Sequence, residues 1–374
     1  MNSPAEQALK QAFKEADIEV GGKRPWDIQV HDPRFYDRVL TGGTLAFGET
    51  YMDGWWDAGK VDELIYRILK NKLQDRIKIN PALVWNYVRA RFFNPQKSRA
   101  FEVGEKHYDI GNDLYTVMLD KRMAYSCGYW HSPAGEAKNL DEAQEAKLDL
   151  ICRKIELRAG QRVLDIGSGW GSFLQFAAEK YGVQGVGVTV SKEQAALANA
   201  RKGNLPIETK LQDYRTLEGQ FDHIVSVGMF EHVGAKNYRV YFEKVSSLLK
   251  DDGYFLLHTI GQNIPSGNDP WVEKYIFPNG FLPTVALIGK AYEDIFSMED
   301  WHNFGPDYDK TLMAWHANFE VHWEELRGSY DERFRRMWNY YLLTAAASFR
   351  VRYLQLWQIV FTKISKKDRY TPVR

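Results

Sequence analysis

The fold is decided by one short stretch, Val163-Leu164-Asp165-Ile166-Gly167-Ser168-Gly169-Trp170-Gly171. Its apolar residues predict a strand over 162–166, and the residues after the glycines predict a helix over 171–181. Glycines let the backbone turn tightly and approach a ligand closely. A strand, a glycine-rich turn and a helix in this order are typical of a nucleotide-type binding site in an α/β protein.

The spacing of the glycines argues against a dinucleotide. A dinucleotide fingerprint is G-x-G-x-x-G, which needs glycine at position 172, where the chain has Ser172. The second strand, predicted over 185–190, should end in an acidic residue that binds the ribose of NAD. It has Thr189 at that end, with Gln194 one turn later. An NAD-dependent oxidoreductase is therefore disfavoured.

The surrounding residues alternate between strand and helix patterns. Further strands are predicted over 207–211, 221–227, 254–260 and 354–362, and further helices over 140–157, 192–201 and 238–249. Such alternation implies a parallel sheet that helices cover on both faces. With Asp165 and the G-x-G-x-G turn, the pattern resembles the S-adenosylmethionine-dependent methyltransferases. The resemblance implies a Rossmann-like class I α/β fold with a mostly parallel seven-stranded sheet.

Length and composition suggest a second, smaller domain. At roughly 150 residues per domain, 374 residues predict two domains, or one large domain with an appendage. Pro95-Gln96-Lys97-Ser98 indicates a boundary near residue 95, which gives a small N-terminal α+β domain, 1–95, and a catalytic domain, 96–374. Within the first, Gly42-Gly43 and Gly48 predict a strand-and-turn region. The formal net charge is zero, which disfavours a nucleic-acid partner.

The chain carries no signal for secretion or for spanning a membrane. Its N-terminus lacks the basic and apolar regions of a signal peptide, and no window of 18 residues is continuously apolar. Only Cys127 and Cys152 are present, so a reducing compartment such as the cytoplasm is expected. Any contact with a membrane would therefore be made from its surface.

One segment is strongly basic. Residues 66–100 contain nine Lys or Arg and a single acidic residue, Asp75, interleaved with the aromatic residues Trp85, Tyr87, Phe92 and Phe93. A second basic region lies in the C-terminal tail, 363–374. These cations predict docking on an anionic membrane surface. The alternative is a solvated basic linker between the domains, whose cations pair with the acidic catalytic domain.

Seven segments together resemble the cyclopropane-fatty-acid-phospholipid synthases. They are HYDIGN (107–112), YSCGYW (125–130), VLDIGSGWG (163–171), GVTVS (187–191), GMFEHVG (228–234), LLHTIG (256–261) and FGPDY (304–308). The resemblance covers residues 100–374. The first hundred residues resemble the extra domain of the phospholipid-acting bacterial members.

The resemblance implies an activity. The enzyme would transfer a methyl group from S-adenosylmethionine to the cis double bond of an unsaturated acyl chain in a membrane phospholipid. A carbocation would form, and bound bicarbonate would remove a proton so that the ring closes. An alkene has no proton that a base could remove beforehand, so positioning in a dry pocket must accelerate the transfer. Aromatic faces stabilise a cation without trapping it, which fits an aromatic content of 14%.

The resemblance also assigns residues. Those expected to hold the bicarbonate are Cys127, Glu231, His258, Tyr308 and the backbone of Ile260. Those expected to bind S-adenosylmethionine are Tyr108, Tyr125, Ser126, Gly167, Gly169, Thr189, Gln194, Asp213 and Tyr214. Taken singly, Cys127 could equally be a small buried apolar residue and His258 a core histidine. No metal site is expected, because no Cys/His cluster is present.

Two other functions remain open at this point. A methyltransferase of a small amine would share the core but would not need the N-terminal domain or the basic segment. A non-catalytic lipid-surface protein would be expected to have lost site residues, yet these are present. The expected location is the cytoplasm, with peripheral association to the inner face of the cytoplasmic membrane. A homodimer is kept as an option, since the residues do not set the oligomeric state.

Overall fold

The computed structural model describes residues 3–73, 111–133, 135–366 and 368–374. In chain order its elements are α1 (Pro4–Glu15), β1 (Gln29–Val30), α2 (Phe35–Met52), β2 (Trp56–Asp57), α3 (Val61–Lys70), α4 (Asn112–Met118), β3 (His131–Ser132), β4 (Gly135–Glu136), α5 (Leu140–Lys154), β5 (Arg162–Ile166), α6 (Ser172–Tyr181), β6 (Gln184–Thr189), α7 (Lys192–Arg201), β7 (Ile207–Leu211), β8 (Phe221–Val227), α8 (Tyr238–Leu248), β9 (Leu249–Gln262), α9 (Pro270–Tyr275), α10 (Val285–Tyr292), β10 (Phe296–Asn303), α11 (Pro306–Val321), α12 (Trp323–Leu326), α13 (Glu332–Arg350) and β11 (Leu354–Lys363). Short 3-10 helices span Tyr214–Thr216, Phe230–His232 and Ala235–Asn237.

Seven strands form one sheet in the order β10-β11-β9-β8-β5-β6-β7. The pairs β5–β6, β5–β8, β6–β7 and β8–β9 are parallel, whereas β10 and β11 are antiparallel. The predicted α/β class and mostly parallel seven-stranded sheet are confirmed. From β5 the chain adds strands first on one side and then on the other, so the strand order reverses there. In open α/β sheets, ligands bind beyond the carboxyl ends of the strands at such a reversal.

The core fills both faces of the sheet. Side chains alternate along β5, so that Leu164 and Ile166 join one buried cluster while Val163 joins another. Phe242, from α8, belongs to the first cluster and Phe173, from α6, to the second. The buried residues of both clusters are apolar, and each is less than a tenth exposed. Helices therefore cover the sheet on both sides, as the alternation predicts.

The region around Gly42-Gly43 and Gly48 is helical, so the predicted strand-and-turn region is wrong. It lies within α2, whose only non-helical residue is Gly43, with φ 59° and ψ −142°. A Cβ atom on Gly48 would lie 2.4 Å from the ring of Trp271, so this glycine permits close packing rather than a turn. Among residues 3–73, the strands are the two-residue pair β1–β2.

The chain divides into two compact units. The first contains the described residues of Met1–Pro95 together with Ser266–Pro278 and Leu312–Leu354. The second contains the described residues of Gln96–Pro265 together with Asn279–Thr311 and Gln355–Arg374. Residue 95 itself lies outside the described residues, so the predicted boundary stays a prediction. Among the helices described, none has the length and apolar character needed to cross a bilayer.

Candidate active site

The turn after β5 requires its glycines. Gly167 and Gly169 have φ values of 84° and 53°, a region that side chains disfavour. The backbone N–H groups of Gly167 and Ser168 donate to the carbonyl of Val188 at 2.9 and 3.0 Å, which anchors the turn to the end of β6. A Cβ atom on Gly167 would lie 2.6 Å from the Cβ of Met229. The turn is therefore fixed in shape, with its backbone exposed to the space beyond the sheet.

A cavity opens at this edge of the sheet, where the strand order reverses. Eight of the residues predicted to bind the cofactor line it, namely Tyr125, Ser126, Gly167, Gly169, Thr189, Gln194, Asp213 and Tyr214. The ninth, Tyr108, lies outside the described residues. The structure thus brings together residues that are up to 89 positions apart in the sequence.

The end of β6 presents an amide donor to this cavity. Ser191 caps α7, as its hydroxyl accepts from the backbone of Gln194. The hydroxyl of Thr189 donates to Oε1 of Gln194 at 2.7 Å. Because that oxygen is engaged, the amide nitrogen of Gln194 is the atom left to donate to a ligand. The acidic residue that NAD would need is absent here, in agreement with the sequence.

The end of β7 supplies a carboxylate and an aromatic ring. Burial disfavours the charge on Asp213, but hydrogen bonds from Arg215 outweigh it and lower the pKa of this carboxyl. Burial raises the pKa of Tyr214 to about 12. The ring of Tyr214 packs edge-on against Tyr241, with centroids 5.3 Å apart. An ionised acceptor and a neutral aromatic face suit the adenosine part of a ligand.

The segment 124–129 runs from the cavity into the core and is held by α5. The amide of Gln144 donates to the carbonyls of Ala124 and Ser126 at 3.3 and 2.7 Å. The ammonium of Lys147 donates to the hydroxyl of Ser126 at 2.9 Å. Gln144 and Lys147 are not among the residues predicted from the sequence. Their positions in the helix could have identified them, because both lie on the face of α5 that carries the apolar residue Leu148.

The residues predicted to hold bicarbonate are not among those that line the cavity, but all five lie in the same unit. Cys127, Glu231, His258 and Tyr308 are buried, and Ile260 is half-buried. Glu231 and Ile260 are in direct contact, because the backbone N–H of Ile260 donates to Oε1 of Glu231 at 2.7 Å. The other oxygen, Oε2, is buried and has no hydrogen-bond partner among the described residues. Burial raises the pKa of Glu231 to about 7.

His258 is fully buried and uncharged. Burial lowers the pKa of this imidazole well below its usual value, and the charges of Lys147 and Lys154 act in the same direction. The amide nitrogen of Gln358 donates to Nδ1 at 3.3 Å, which leaves the proton on Nε2. Nε2 has no partner among the described residues. A neutral N–H donor is therefore free in the core beside the ring of Phe304.

Tyr308 lies in α11, and the same helix contacts the segment that contains Cys127. Thr311 accepts from the backbone of Gly128 at 3.0 Å, and its hydroxyl is 3.9 Å from the sulfur of Cys127. Asp307 accepts from the backbone of Trp130 at 2.6 Å. Burial, with the charge of Asp307, raises the pKa of Cys127 well above its usual value, so the thiol stays protonated. The roles assigned to Cys127 and Tyr308 stay predictions.

Among the described residues, no group of three His, Cys, Asp or Glu side chains is placed to hold a metal ion. The fixed glycine-rich turn and the cavity at the strand-order reversal define the class of the protein: an S-adenosylmethionine-dependent methyltransferase of class I. A structure of coclaurine N-methyltransferase bound to N-methylheliamine and SAH shares this fold, with a TM-score of 0.67, 23% identity and coverage of 85% of this chain and 99% of that chain.

More specific similarity comes from the sequence. The family model described as mycolic acid cyclopropane synthetase matches residues 95–359. The chain is 51% identical to the cyclopropane-fatty-acyl-phospholipid synthase of Escherichia coli (strain K12), over 93% of this chain and 91% of that protein. A mycolic acid cyclopropane synthase complexed with SAH and CTAB has a TM-score of 0.65, 31% identity and coverage of 70% of this chain and 98% of its own. This chain belongs to the mycolic acid cyclopropane synthetase family.

Proposed function

We propose that this protein is a cyclopropane-fatty-acyl-phospholipid synthase that uses S-adenosylmethionine. The observation that carries the proposal is 51% identity to such an enzyme over nearly the whole of both chains. The cavity agrees with it, because its lining suits a cation without phosphates. It offers a glycine-rich backbone, the amide of Gln194 and the carboxylate of Asp213, and it lacks an acidic residue at the end of β6. S-adenosylmethionine, when bound there, supplies the methyl group.

The proposed acceptor is the cis double bond of an unsaturated acyl chain in a membrane phospholipid. Addition of a methyl cation to one alkene carbon leaves a carbocation on the other. Loss of a proton from the new methyl group then closes a cyclopropane ring, so one carbon and two hydrogens are gained overall. Neutral Tyr, Trp and Phe faces stabilise a cation without forming a bond to it.

Bicarbonate is the proposed base for that proton. Its site would need more donors than acceptors, and the buried groups fit this need. The Nε2–H of His258 is a neutral donor, and Glu231, with a pKa of about 7, carries a proton about half of the time at pH 7. The neutral Cys127 thiol donates to the carbonyl of Gly128 at 3.2 Å and would exchange that bond for one to the anion. The N–H of Ile260 is already donated to Glu231. We therefore propose that Ile260 acts by holding Glu231, while Tyr308 supplies a further hydroxyl.

Membrane docking is proposed for only part of the basic regions, because some of their cations already pair with acidic residues. In α3, Arg67 pairs with Asp17 at 2.6 Å and with Glu63 at 3.3 Å, so its charge already has acidic partners among residues 1–95. The C-terminal cations Lys363 and Arg374 likewise pair with acidic residues. Most of the remaining cations, 76–99, lie outside the described residues. Docking on an anionic surface, peripheral association from the cytoplasm and a homodimer remain proposals.

The direct test is incubation of the purified protein with S-adenosylmethionine and vesicles of an unsaturated phospholipid. Fatty acids are then released and separated by gas chromatography. The proposal expects a new fatty acid 14 mass units heavier than its unsaturated precursor, and none from vesicles of a saturated phospholipid. Unchanged fatty acids from unsaturated vesicles, with a protein that binds S-adenosylmethionine, would refute it.

A further inference from the structure

Lys147 is a buried lysine without a carboxylate partner. Its side chain is 2% exposed on α5, and no ion pair within 4.0 Å involves it in the part of the chain that the structure describes. Its one hydrogen-bond partner there is the hydroxyl of Ser126, at 2.9 Å from Nζ. Lys154, seven residues later on the same helix, is equally buried but pairs with Asp300 at 3.1 Å. Packing alone therefore does not explain why a lysine, rather than an apolar residue, occupies position 147.

The charge at this position is costly. Removing an ammonium group from water without full compensation costs several kcal/mol, and an apolar side chain would fill the space at lower cost. Burial lowers the pKa of Lys147 to about 8, while Asp120, Cys127 and Asp165 act in the opposite direction. At neutral pH the group therefore stays protonated and can only donate.

The hydrogen bond from Lys147 determines what Ser126 can do. An ammonium group has no acceptor, so Oγ of Ser126 is the acceptor in this contact. The hydroxyl hydrogen must then be donated elsewhere, and Ser126 donates it to no other described residue. The backbone of Ser126 is fixed by Gln144, and its side chain lines the cofactor cavity. The remaining acceptor would be a group of the bound ligand.

We infer that Lys147 is a positioning residue for the cofactor, which orients Ser126 so that its hydroxyl donates into the cavity. A donor polarised by a cation favours an anionic acceptor. The methionine carboxylate is the anionic group that S-adenosylmethionine offers, so it is the group that Ser126 meets. The inference rests on the proposed function only in taking this cavity as the S-adenosylmethionine site.

The test is a double-mutant cycle read by isothermal titration with S-adenosylhomocysteine. Lys147→Met and Ser126→Ala should each weaken binding about tenfold or more, the effect of losing a hydrogen bond to a charged group. The double variant should bind no more weakly than Ser126→Ala, because Lys147 acts through Ser126. Lys154→Met is the matched control: it removes a buried lysine from the same helix and should keep wild-type affinity.

Two results would overturn the inference: wild-type affinity in Lys147→Met, or fully additive losses in the double variant. If Lys147→Met does not fold, Ser126→Ala alone decides. It should lose affinity for S-adenosylhomocysteine but not for the methyl ester of its carboxylate, and equal losses for both ligands would contradict the assignment. A wild-type protein that binds no S-adenosylhomocysteine would instead refute the proposed function.

Discussion

Replacing Glu231 with glutamine should stabilise the folded protein relative to the wild type as the pH rises. Glu231 is 8% exposed, and one of its oxygens accepts from the backbone of Ile260 at 2.7 Å. Burial raises its pKa from an ordinary 4.5 to about 7. Glutamine has nearly the same shape and keeps an oxygen for Ile260, but it cannot ionise.

The sign and size of this stability difference follow from the protons that the folded and unfolded chains bind. Between pH 4.5 and 7 the folded protein keeps the proton on Glu231 that the unfolded chain has released. The contribution of this proton to stability is complete below pH 4.5 and is lost as the pH rises through 7. A difference of about 2.5 pKa units corresponds to about 3 kcal/mol. The Glu231→Gln variant should therefore gain about 3 kcal/mol on the wild type between pH 4 and pH 8.

Urea unfolding of both proteins at pH 5, 6, 7 and 8, without ligand, measures this difference. Other groups with displaced pKa values are shared by the two proteins and cancel in the comparison. A stability difference that stays constant from pH 5 to pH 8 would refute the argument. It would mean that Glu231 titrates normally and is not the half-protonated donor that the proposed bicarbonate site needs.

Three further predictions concern the cofactor, the anion and the membrane. Gly169→Val places a branched side chain at a φ of 53°, which strains the turn by about 1–2 kcal/mol and should sharply weaken binding of S-adenosylmethionine; unchanged affinity in isothermal titration would contradict the placement of the turn. His258→Ala should lower turnover far more than cofactor affinity, and added bicarbonate should raise the rate of carbonate-depleted wild type; a rate that ignores bicarbonate under degassed conditions would remove the ion from the mechanism. Combined charge reversal at Arg89, Arg91 and Lys97 should reduce flotation with anionic vesicles and leave cofactor affinity intact; flotation equal to that of the wild type would make the segment a linker.

Local patterns predicted six of the seven strands of the sheet, but not the edge strand β10, Phe296–Asn303. The predicted bounds of the strands over 162–166, 207–211 and 221–227 are those observed. The first and third are mostly buried strands between turn residues, whereas 207–211 alternates buried and more exposed residues. The strand predicted over 254–260 is longer in the structure, Leu249–Gln262. Its start is not predicted because Lys250, Asp251 and Asp252 interrupt the apolar pattern there. Glycines predict turns less reliably: Gly48 predicts a turn, but it lies in α2, where its lack of a side chain admits the ring of Trp271.

Contacts between distant segments could not be predicted from spacing. The pair Glu231–Ile260 joins the 3-10 helix Phe230–His232 to β9, and Thr311 supports the Cys127 segment across 184 residues. These residues were proposed only because the motifs resemble a known family. Lys147 was missed for a different reason, because a lysine on a helix is usually solvated. Its place on the apolar face next to Leu148 was the available signal.

The most direct test of the central claim follows the transferred carbon itself. The protein is given S-adenosylmethionine labelled with 13C in its methyl group and vesicles of an unsaturated phospholipid with an amine headgroup. An intact lipid gains 14 mass units, plus the isotope, whether its chain or its amine is methylated, so acyl chains and headgroups are separated before mass and NMR analysis. A cyclopropane synthase places the label in the ring methylene of a cyclopropane within the acyl chain. Label on the headgroup nitrogen, with acyl chains unchanged, would contradict the proposed function.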